Sequence, residues 1–197
     1  PFVLESGSRG RVQLPLSVRR EFRMLLRLAP CVRCHLDWPV APVVHMVDAG
    51  PRMGAVVSTS FDPPPEFTAQ VEPPPRRKWK LAVQRAWKYE EHNNCLEGRT
   101  VLWAVERCAR AGLRNRVCVV FTDSLVIKGA FSKGRSSSRS INRLCRRHAA
   151  LCLAFGLRVV LKYVPSAENW ADGPSRGLAY PGVAPEDCAK AASPPGR

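Results

Sequence analysis

Four acidic residues lie at the ends or on the inner faces of predicted elements. Asp48 and Asp123 each stand at the end of an apolar run that has the composition of a buried strand. Glu97 falls on the apolar face of a predicted helix, and Asp172 lies in a polar segment after another apolar run. A carboxylate removed from water without a partner costs several kcal/mol, so such groups must meet a cation, a metal ion or hydrogen-bond donors.

A divalent-metal site is the chemistry that these residue types favour. Carboxylate oxygens with few nearby histidines suit Mg²⁺ or Mn²⁺ better than zinc. The chain has only 16 Asp and Glu, and its predicted buried faces carry no lysine or arginine to pair with them. A second interpretation stays open, in which the strand-end aspartates cap turns, Glu97 pairs with an arginine and Asp172 caps a terminal helix.

Hydrophobic periodicity predicts the elements that position these carboxylates. In chain order they are a β-hairpin (43–58), a helix (95–111), a buried strand (117–121), a helix (141–155) and a strand (157–164). Asn94 is the predicted cap of the first helix, and Gly156 closes the second. Strands that alternate with helices predict an α/β fold, in which a mixed sheet packs against helices.

Three further segments frame this pattern. Residues 15–29 show helical spacing of apolar and basic residues and predict an amphipathic lead-in helix that ends before Pro30. Residues 62–80 are rich in proline and predict a loop or insertion. The proline- and alanine-rich tail after Gly177 is expected to be disordered.

Four stretches resemble successive motifs of one enzyme family. They read HMVDAGPRMGAVVS, HNNCLEGRTVLWAV, VVFTDSLVIKGAFSKGRSSSR and LKYVPSAENWADGPSRG. In this order they resemble the ribonuclease H domains that follow reverse transcriptase in DIRS-like and related retroelements. The resemblance covers residues 43–177 and implies a ribonuclease H-like fold with a mixed five-stranded sheet. Residues 1–42 would then be the lead-in from an upstream polymerase, and 178–197 a tail.

The resemblance implies an endonuclease that hydrolyses the RNA strand of RNA–DNA hybrids with two Mg²⁺ ions, or Mn²⁺ in their place. Asp48 would bridge the ions, and Asp172 would hold the ion that carries the attacking water. Glu97 and Asp123 would complete the shell of the ion at the leaving group. Cellular members of the family place a histidine shortly before the last aspartate, and this chain has none there. Glu168 or Asn169 is the candidate to assist product release instead.

The charge of the chain favours nucleic acid as its partner. Its 31 Lys and Arg against 16 Asp and Glu give a net charge of +15, which attracts polyanions. No apolar stretch reaches the roughly 18 residues of a membrane-spanning helix, so we expect no membrane partner. The candidate phosphate-binding residues are Lys133, Arg135, Ser136, Arg139, Arg143, Arg146 and Arg147. An ordinary solvated helix face would show the same pattern.

Eight cysteines at irregular spacing predict reduced thiols in an intracellular protein, with cytoplasm and nucleus not distinguished. The CVRCH sequence at 31–35 lacks a second ligand pair, and we interpret it as a chance pair in a linker. Two other functions are alternatives to the nuclease. One is a catalytically inactive module that binds hybrids, and the other is an integrase-like or resolvase-like enzyme, which the helix glutamate and the ADGPSR ending disfavour.

Overall fold

Helix α1, Leu16–Leu28, is the main element of the first of two structural units, Pro1–Leu36. The computed structural model describes residues 13–31, 37–62, 71–75 and 78–178. The helix confirms the predicted amphipathic segment, and one 3-10 turn, Ala29–Cys31, follows it. Most of the CVRCH sequence and nearly all of the tail lie outside the described residues.

The second unit, Asp37–Arg197, contains the sheet and the remaining helices. Its described elements are β1 (Val43–Ala49), β2 (Met53–Ser60), β3 (Lys80–Ala86), α2 (Asn93–Arg110), β4 (Arg116–Thr122), α3 (Leu125–Lys133), α4 (Arg139–Phe155), β5 (Leu157–Tyr163) and α5 (Asp172–Ser175). A 3-10 turn, Ser166–Glu168, precedes α5. None of the described helices is long and apolar enough to cross a membrane.

The five strands form one mixed sheet in the order β3-β2-β1-β4-β5. Strands β1 and β2 form the predicted antiparallel hairpin, and β3 adds to β2 in the antiparallel direction. Strands β4 and β5 extend the other side of β1 in parallel. Parallel neighbours require crossover connections, which α2 supplies before β4, and α3 and α4 supply before β5. The predicted α/β class and five-stranded sheet are confirmed.

Both faces of the sheet are covered, as the apolar run in β4 predicts. On one face, side chains of the strands pack against α2, α3 and α4, with Leu102, Ile127 and Leu144 in the core. On the other face, Met46 and Phe121 belong to a second core cluster. Its other members include Val40 before β1, Trp79 before β3 and Val164 after β5. The central strands are therefore held rigidly, and the residues at their ends are held with them.

The end of the proline-rich segment belongs to this core. Trp79 is buried, donates a hydrogen bond to the carbonyl of Pro74 and packs edge-on against Phe121. Strand β3 begins at the next residue, whereas the sequence pattern predicted an insertion as far as residue 80 and identified no strand after it. The strand was missed because its residues alternate weakly and are only partly buried.

Candidate metal centre

Two of the four acidic residues lie at the carboxyl ends of neighbouring parallel strands. Asp48 is the penultimate residue of β1, and Asp123 follows β4 directly. The register of the two strands pairs Met46 with Phe121, so both strands end at the same edge of the sheet. Ligands commonly bind in α/β sheets at such an edge, because the chain changes direction there and leaves a crevice.

Helix α2 brings Glu97 to the same edge. The helix begins at Asn93, so Glu97 lies one turn from its start. The His92 side chain caps the helix by accepting a hydrogen bond from the backbone N–H of Asn94. The prediction of Asn94 as the cap was therefore wrong by two positions. An imidazole nitrogen performs here the role that a short polar side chain usually performs.

The three carboxylates converge. One oxygen from each of Asp48, Glu97 and Asp123 lies within 4.8 Å of the other two. Residues that are far apart in the sequence thus form one acidic cluster at the sheet edge. Asp172 is not a member of this group among the described residues, although its charge acts on Asp48.

Glu97 is held in an environment that opposes its negative charge. Its side chain is buried, and its Oε2 atom has no hydrogen-bond partner among the described residues. The pKa of Glu97 is raised to about 8, chiefly by burial and then by the negative charges of Asp48 and Asp123, while hydrogen bonds from the Ala49 backbone and Asn93 oppose the rise. Without a cation, Glu97 therefore carries a proton at neutral pH.

Asp48 is also buried, but it has two hydrogen-bond donors. The Ser175 hydroxyl donates to Oδ2, and the Asn169 amide donates to Oδ1 at 3.3 Å and to the Val47 carbonyl at 3.1 Å. Burial raises the pKa of Asp48 to about 6, and Ser175 opposes this rise. The two donors hold the carboxylate in one orientation.

The remaining two carboxylates are more exposed. Asp123 accepts a 2.7 Å hydrogen bond from the hydroxyl of Ser166, in the 3-10 turn after β5. Asp172, the first residue of α5, forms a 2.8 Å ion pair with Arg176. This ion pair directs one oxygen of Asp172 to the arginine, so the residue stands beside the cluster rather than within it.

Besides the bond from Ser175 to Asp48, two further contacts hold helix α5 against the sheet and the β1–β2 turn. The Gln84 amide on β3 donates a 2.8 Å hydrogen bond to the carbonyl of Pro174. At the other contact, Gly50 lies so close to Ser175 that a Cβ on residue 50 would overlap the Ser175 carbonyl oxygen. The turn after Asp48 and the helix that carries Asp172 are therefore packed backbone to backbone.

The cluster fits a divalent cation. Three hard oxygen donors converge, no histidine or cysteine belongs to the group, and the buried Oε2 of Glu97 lacks a partner that a metal ion would supply. A cation would also relieve the mutual repulsion that raises the pKa of both buried carboxyls. Asp48, Glu97 and Asp123 are the residues that would hold it, with Asp172 at its border.

The predicted phosphate-binding residues lie at the end of α3, in the following loop and on α4. All are exposed except Ser136, which is partly buried. Arg139, Arg143 and Arg146 follow one another along α4. Arg147 makes a 2.5 Å ion pair with Glu106 of α2, so it also links two helices. The role of this face in binding stays a prediction.

Sequence reasoning missed the residues that support the carboxylates. Ser166 and Ser175 were not singled out, and Asn169 was considered for product release rather than for its buried contact with Asp48. Glu168, the other candidate for that role, is exposed. The one available signal was the density of hydrogen-bonding residues in PSAENWADGPSR, a segment that a solvated loop would explain equally well.

Solved structures of other proteins share this architecture, among them the following two. One is the N-terminal RNase H domain of a Mycobacterium tuberculosis protein, which is 19% identical, has a TM-score of 0.50 and is matched over 69% of this chain and 97% of that chain. The other is an RNase H1 isolated from compost by a metagenomic approach, at 15% identity and a TM-score of 0.50, matched over 69% of this chain and 94% of that chain.

No model of a known protein family and no curated protein sequence matches the chain. At such low identity, the two structures show the fold alone. The second unit therefore has the ribonuclease H fold that the motif order predicted.

Proposed function

We propose that this chain is a metal-dependent endonuclease that hydrolyses the RNA strand of RNA–DNA hybrids. The observation that carries the proposal is the convergence of Asp48, Glu97 and Asp123 at the edge of a ribonuclease H fold. Isolated acidic residues at a protein surface need no cation. Two buried carboxyls with raised pKa values and one unpartnered oxygen are, by contrast, typical of a functional site.

Divalent ions bound at such a cluster would activate a water molecule and stabilise the leaving oxygen of a phosphodiester. The chain itself positions the ligands. Ser175 and Asn169 hold the Asp48 carboxylate in one orientation, and Ser166 holds Asp123. Cation binding would also displace the proton from Glu97, because metal ligands must be deprotonated. We therefore expect proton release when metal binds at neutral pH.

The preference for a hybrid rests on shape and charge rather than on base contacts. The exposed arginines of α4 and the loop before it would contact phosphates, which gives binding without sequence preference and with strong salt dependence. The large positive net charge acts in the same direction. A nuclease that acts along a whole transcript needs this kind of recognition.

A retroelement polyprotein is the context that the sequence motifs support. The four motifs of residues 43–177 resemble the ribonuclease H domains that follow reverse transcriptase in DIRS-like elements. In that setting the first unit, with α1, would lead from the polymerase into the nuclease. The boundaries at 42 and 177 and the upstream polymerase are parts of this proposal.

The test is cleavage of a hybrid labelled on either strand, with Mg²⁺ or Mn²⁺ and with double-stranded DNA as the control substrate. We expect cleavage of the RNA strand alone, abolished in Asp48→Asn. Asp62→Asn is the matched control because Asp62 is exposed and outside the cluster. Cleavage that persists in Asp48→Asn would contradict the assignment of the site.

Metal binding is tested separately by calorimetry with Mg²⁺ or Mn²⁺. Wild type and Asp62→Asn should bind the ion, whereas Asp48→Asn and Glu97→Gln should bind it at least roughly tenfold more weakly. Hybrid binding without cleavage, in a protein that binds no metal, would identify the chain as an inactive binding module instead.

A further inference from the structure

A second group of reactive side chains lies under α2, on the opposite side of β1 from the residues that hold Asp48. His45 in β1 contacts the Cys108 sulfur of α2 at 3.2 Å through Nε2 and the Ser58 hydroxyl of β2 at 2.7 Å through Nδ1. Cys118 of β4 is within hydrogen-bonding reach of the Cys108 sulfur. All the members except Ser58 are buried. The proposed nuclease mechanism uses none of them.

A cleft leads to this group from the surface. Its volume is about 520 Å³, and both His45 and Cys108 line it. Arg85, Arg107 and Arg110 line it as well, together with one acidic residue, Glu106, so the charged side chains of its walls are positive in sum. Cys108 is only 1% exposed, so the floor of the cleft excludes a protein, and only a molecule as small as a peroxide could reach the sulfur.

The surroundings of Cys108 favour its thiolate. Hydrogen bonding from Cys118 lowers the pKa of the Cys108 thiol, and hydrogen bonding and charge from His45 and the charge of Arg107 lower it further, against the effect of burial. Cys118 shows the opposite shift, because its bond to Cys108 and its burial raise its pKa. Burial also raises the pKa of Cys145. Of these three thiols, Cys108 is the one whose sulfur lies 3.2 Å from an imidazole nitrogen, that of His45.

We propose that Cys108 is a modification site for small hydroperoxides, with His45 as its proton acceptor and Cys118 as the thiol that resolves the product. The geometry that supports this is a sulfur 3.2 Å from an imidazole nitrogen, at the floor of a cleft with three arginines and one glutamate in its walls, with a second buried thiol in the same packed cluster. Redox-sensitive cysteines combine these features.

The chemistry balances in two steps. The Cys108 proton passes to Nε2 of His45, and the imidazolium then donates its Nδ1–H to Ser58. The thiolate attacks hydrogen peroxide, so an S–O bond forms, the O–O bond breaks, and the departing hydroxide takes the proton from His45 as water. Sulfur is oxidised by two electrons to the sulfenic acid. The Cys118 thiol then attacks the Cys108 sulfur: an S–S bond forms, the S–O bond breaks, and the departing hydroxyl takes the Cys118 proton and leaves as a second water.

The disulfide would link α2 to β4. Glu97 lies on this helix, and Asp123 follows this strand. A covalent bond between the two elements would restrict the relative movement of two carboxylates of the acidic cluster. This consequence for catalysis rests on the proposed function, whereas the modification of Cys108 does not.

The experiment treats the full chain with hydrogen peroxide at neutral pH and maps its cysteines by non-reducing peptide mass spectrometry. We expect a Cys108–Cys118 disulfide to form at least roughly tenfold faster than any oxidation of Cys145, the internal control. Equal reactivity of Cys108 and Cys145, or an intact pair of thiols after Cys145 has reacted, would contradict the proposal. Wild-type protein alone decides this point.

Two variants test the assigned roles. Cys118→Ala should stop the reaction at the sulfenic acid, which dimedone captures on Cys108. His45→Gln should move the pH dependence of Cys108 alkylation to higher pH, which a merely structural role for His45 would not do. An unchanged alkylation profile in folded His45→Gln would exclude His45 as the proton acceptor. Because no readout depends on hybrid cleavage, these results are independent of the nuclease proposal.

Discussion

The Ser175 hydroxyl donates a hydrogen bond to the Asp48 carboxylate, although 127 residues separate the two in the chain. The contact joins the first strand of the sheet to the last described helix. It also supplies a donor to a carboxylate that burial would otherwise leave poorly solvated, since desolvation is the largest influence on the pKa of Asp48. The candidate site therefore depends on a side chain that is not itself one of the acidic residues.

Ser175→Ala should raise the pKa of Asp48 above its value of about 6, because a hydrogen bond to the charged form is lost. The unfolding free energy should fall by about 1–3 kcal/mol above that pKa, where the carboxylate is left with one donor fewer. Carboxyl carbon NMR of the metal-free protein measures the titration. Ser137→Ala, in an exposed loop, is the control, and a titration of Asp48 that is the same in both variants would contradict the prediction.

The metal-free protein should lose stability as the pH rises from about 4.5 to 8. Glu97 has a pKa of about 8 in the folded state against 4.5 as its ordinary value, so the folded state binds the proton more tightly across this range. Stability falls with pH wherever the folded state holds more protons than the unfolded state. Glu97 accounts for a loss on the order of 5 kcal/mol at 1.36 kcal/mol per pKa unit.

Urea unfolding of metal-free protein at several pH values measures this effect. Glu97→Gln should remove the slope between pH 6 and 8, above the pKa of Asp48, and Mg²⁺ should remove it in the wild type by neutralising the cluster. Glu72→Gln is the control because Glu72 is exposed. A wild-type slope that Glu97→Gln leaves intact would show that another group is responsible.

Much of the fold could be predicted from the sequence because its strongest patterns are long and periodic. The hairpin, the central strand β4 and helix α4 were all predicted from apolar spacing, and Gly156 ends α4 as expected in the left-handed conformation. Strand β3 was missed because it is an outermost strand of the sheet, where partial burial weakens the alternation of apolar and polar residues. Edge strands carry less of the burial on which such patterns depend.

The carboxylates of the candidate site could be predicted from the sequence, but the side chains that donate hydrogen bonds to them could not. Asp48, Glu97 and Asp123 could be identified because each stands at the end or on the inner face of an apolar pattern. Ser175 and Asn169 act through contacts across more than 120 residues, and a polar segment shows no sign of which side chain turns inward. Asp172 and Arg176 are only four residues apart, but the sequence pattern did not predict their ion pair.

Arg143→Ala should weaken hybrid binding and reduce its salt dependence. Arg143 is exposed on α4, and each lost phosphate contact lowers the slope of log K against log salt by about 0.7–0.9. Fluorescence anisotropy between low and moderate salt measures the slope. Arg114→Ala is the matched control because Arg114 is an arginine outside the α4 face. It lies in the loop before β4, and its guanidinium packs over the ring of Phe155. Equal slopes for the two variants would remove the α4 face from the proposed interface.

Gly50→Ala should disrupt the site without touching a carboxylate. A Cβ on residue 50 would overlap the backbone carbonyl oxygen of Ser175, and a backbone group cannot rotate away as a flexible side chain would. Helix α5 must therefore shift, which moves Ser175 away from Asp48. Overpacking of this kind typically costs about 1–3 kcal/mol of unfolding free energy. We also expect Mg²⁺ to bind roughly tenfold more weakly, because support for a ligand is lost.

Gly129→Ala, a second glycine-to-alanine substitution, should raise the stability of the protein instead of lowering it. Gly129 lies within α3, no atom lies within 4 Å of where its Cβ would be, and alanine is the better helix former by about 1 kcal/mol. This variant should be more stable than wild type in urea and bind Mg²⁺ with unchanged affinity in calorimetry. If Gly50→Ala also kept full stability and metal affinity, the close packing of the β1–β2 turn against α5 would not be what holds Asp48 in place.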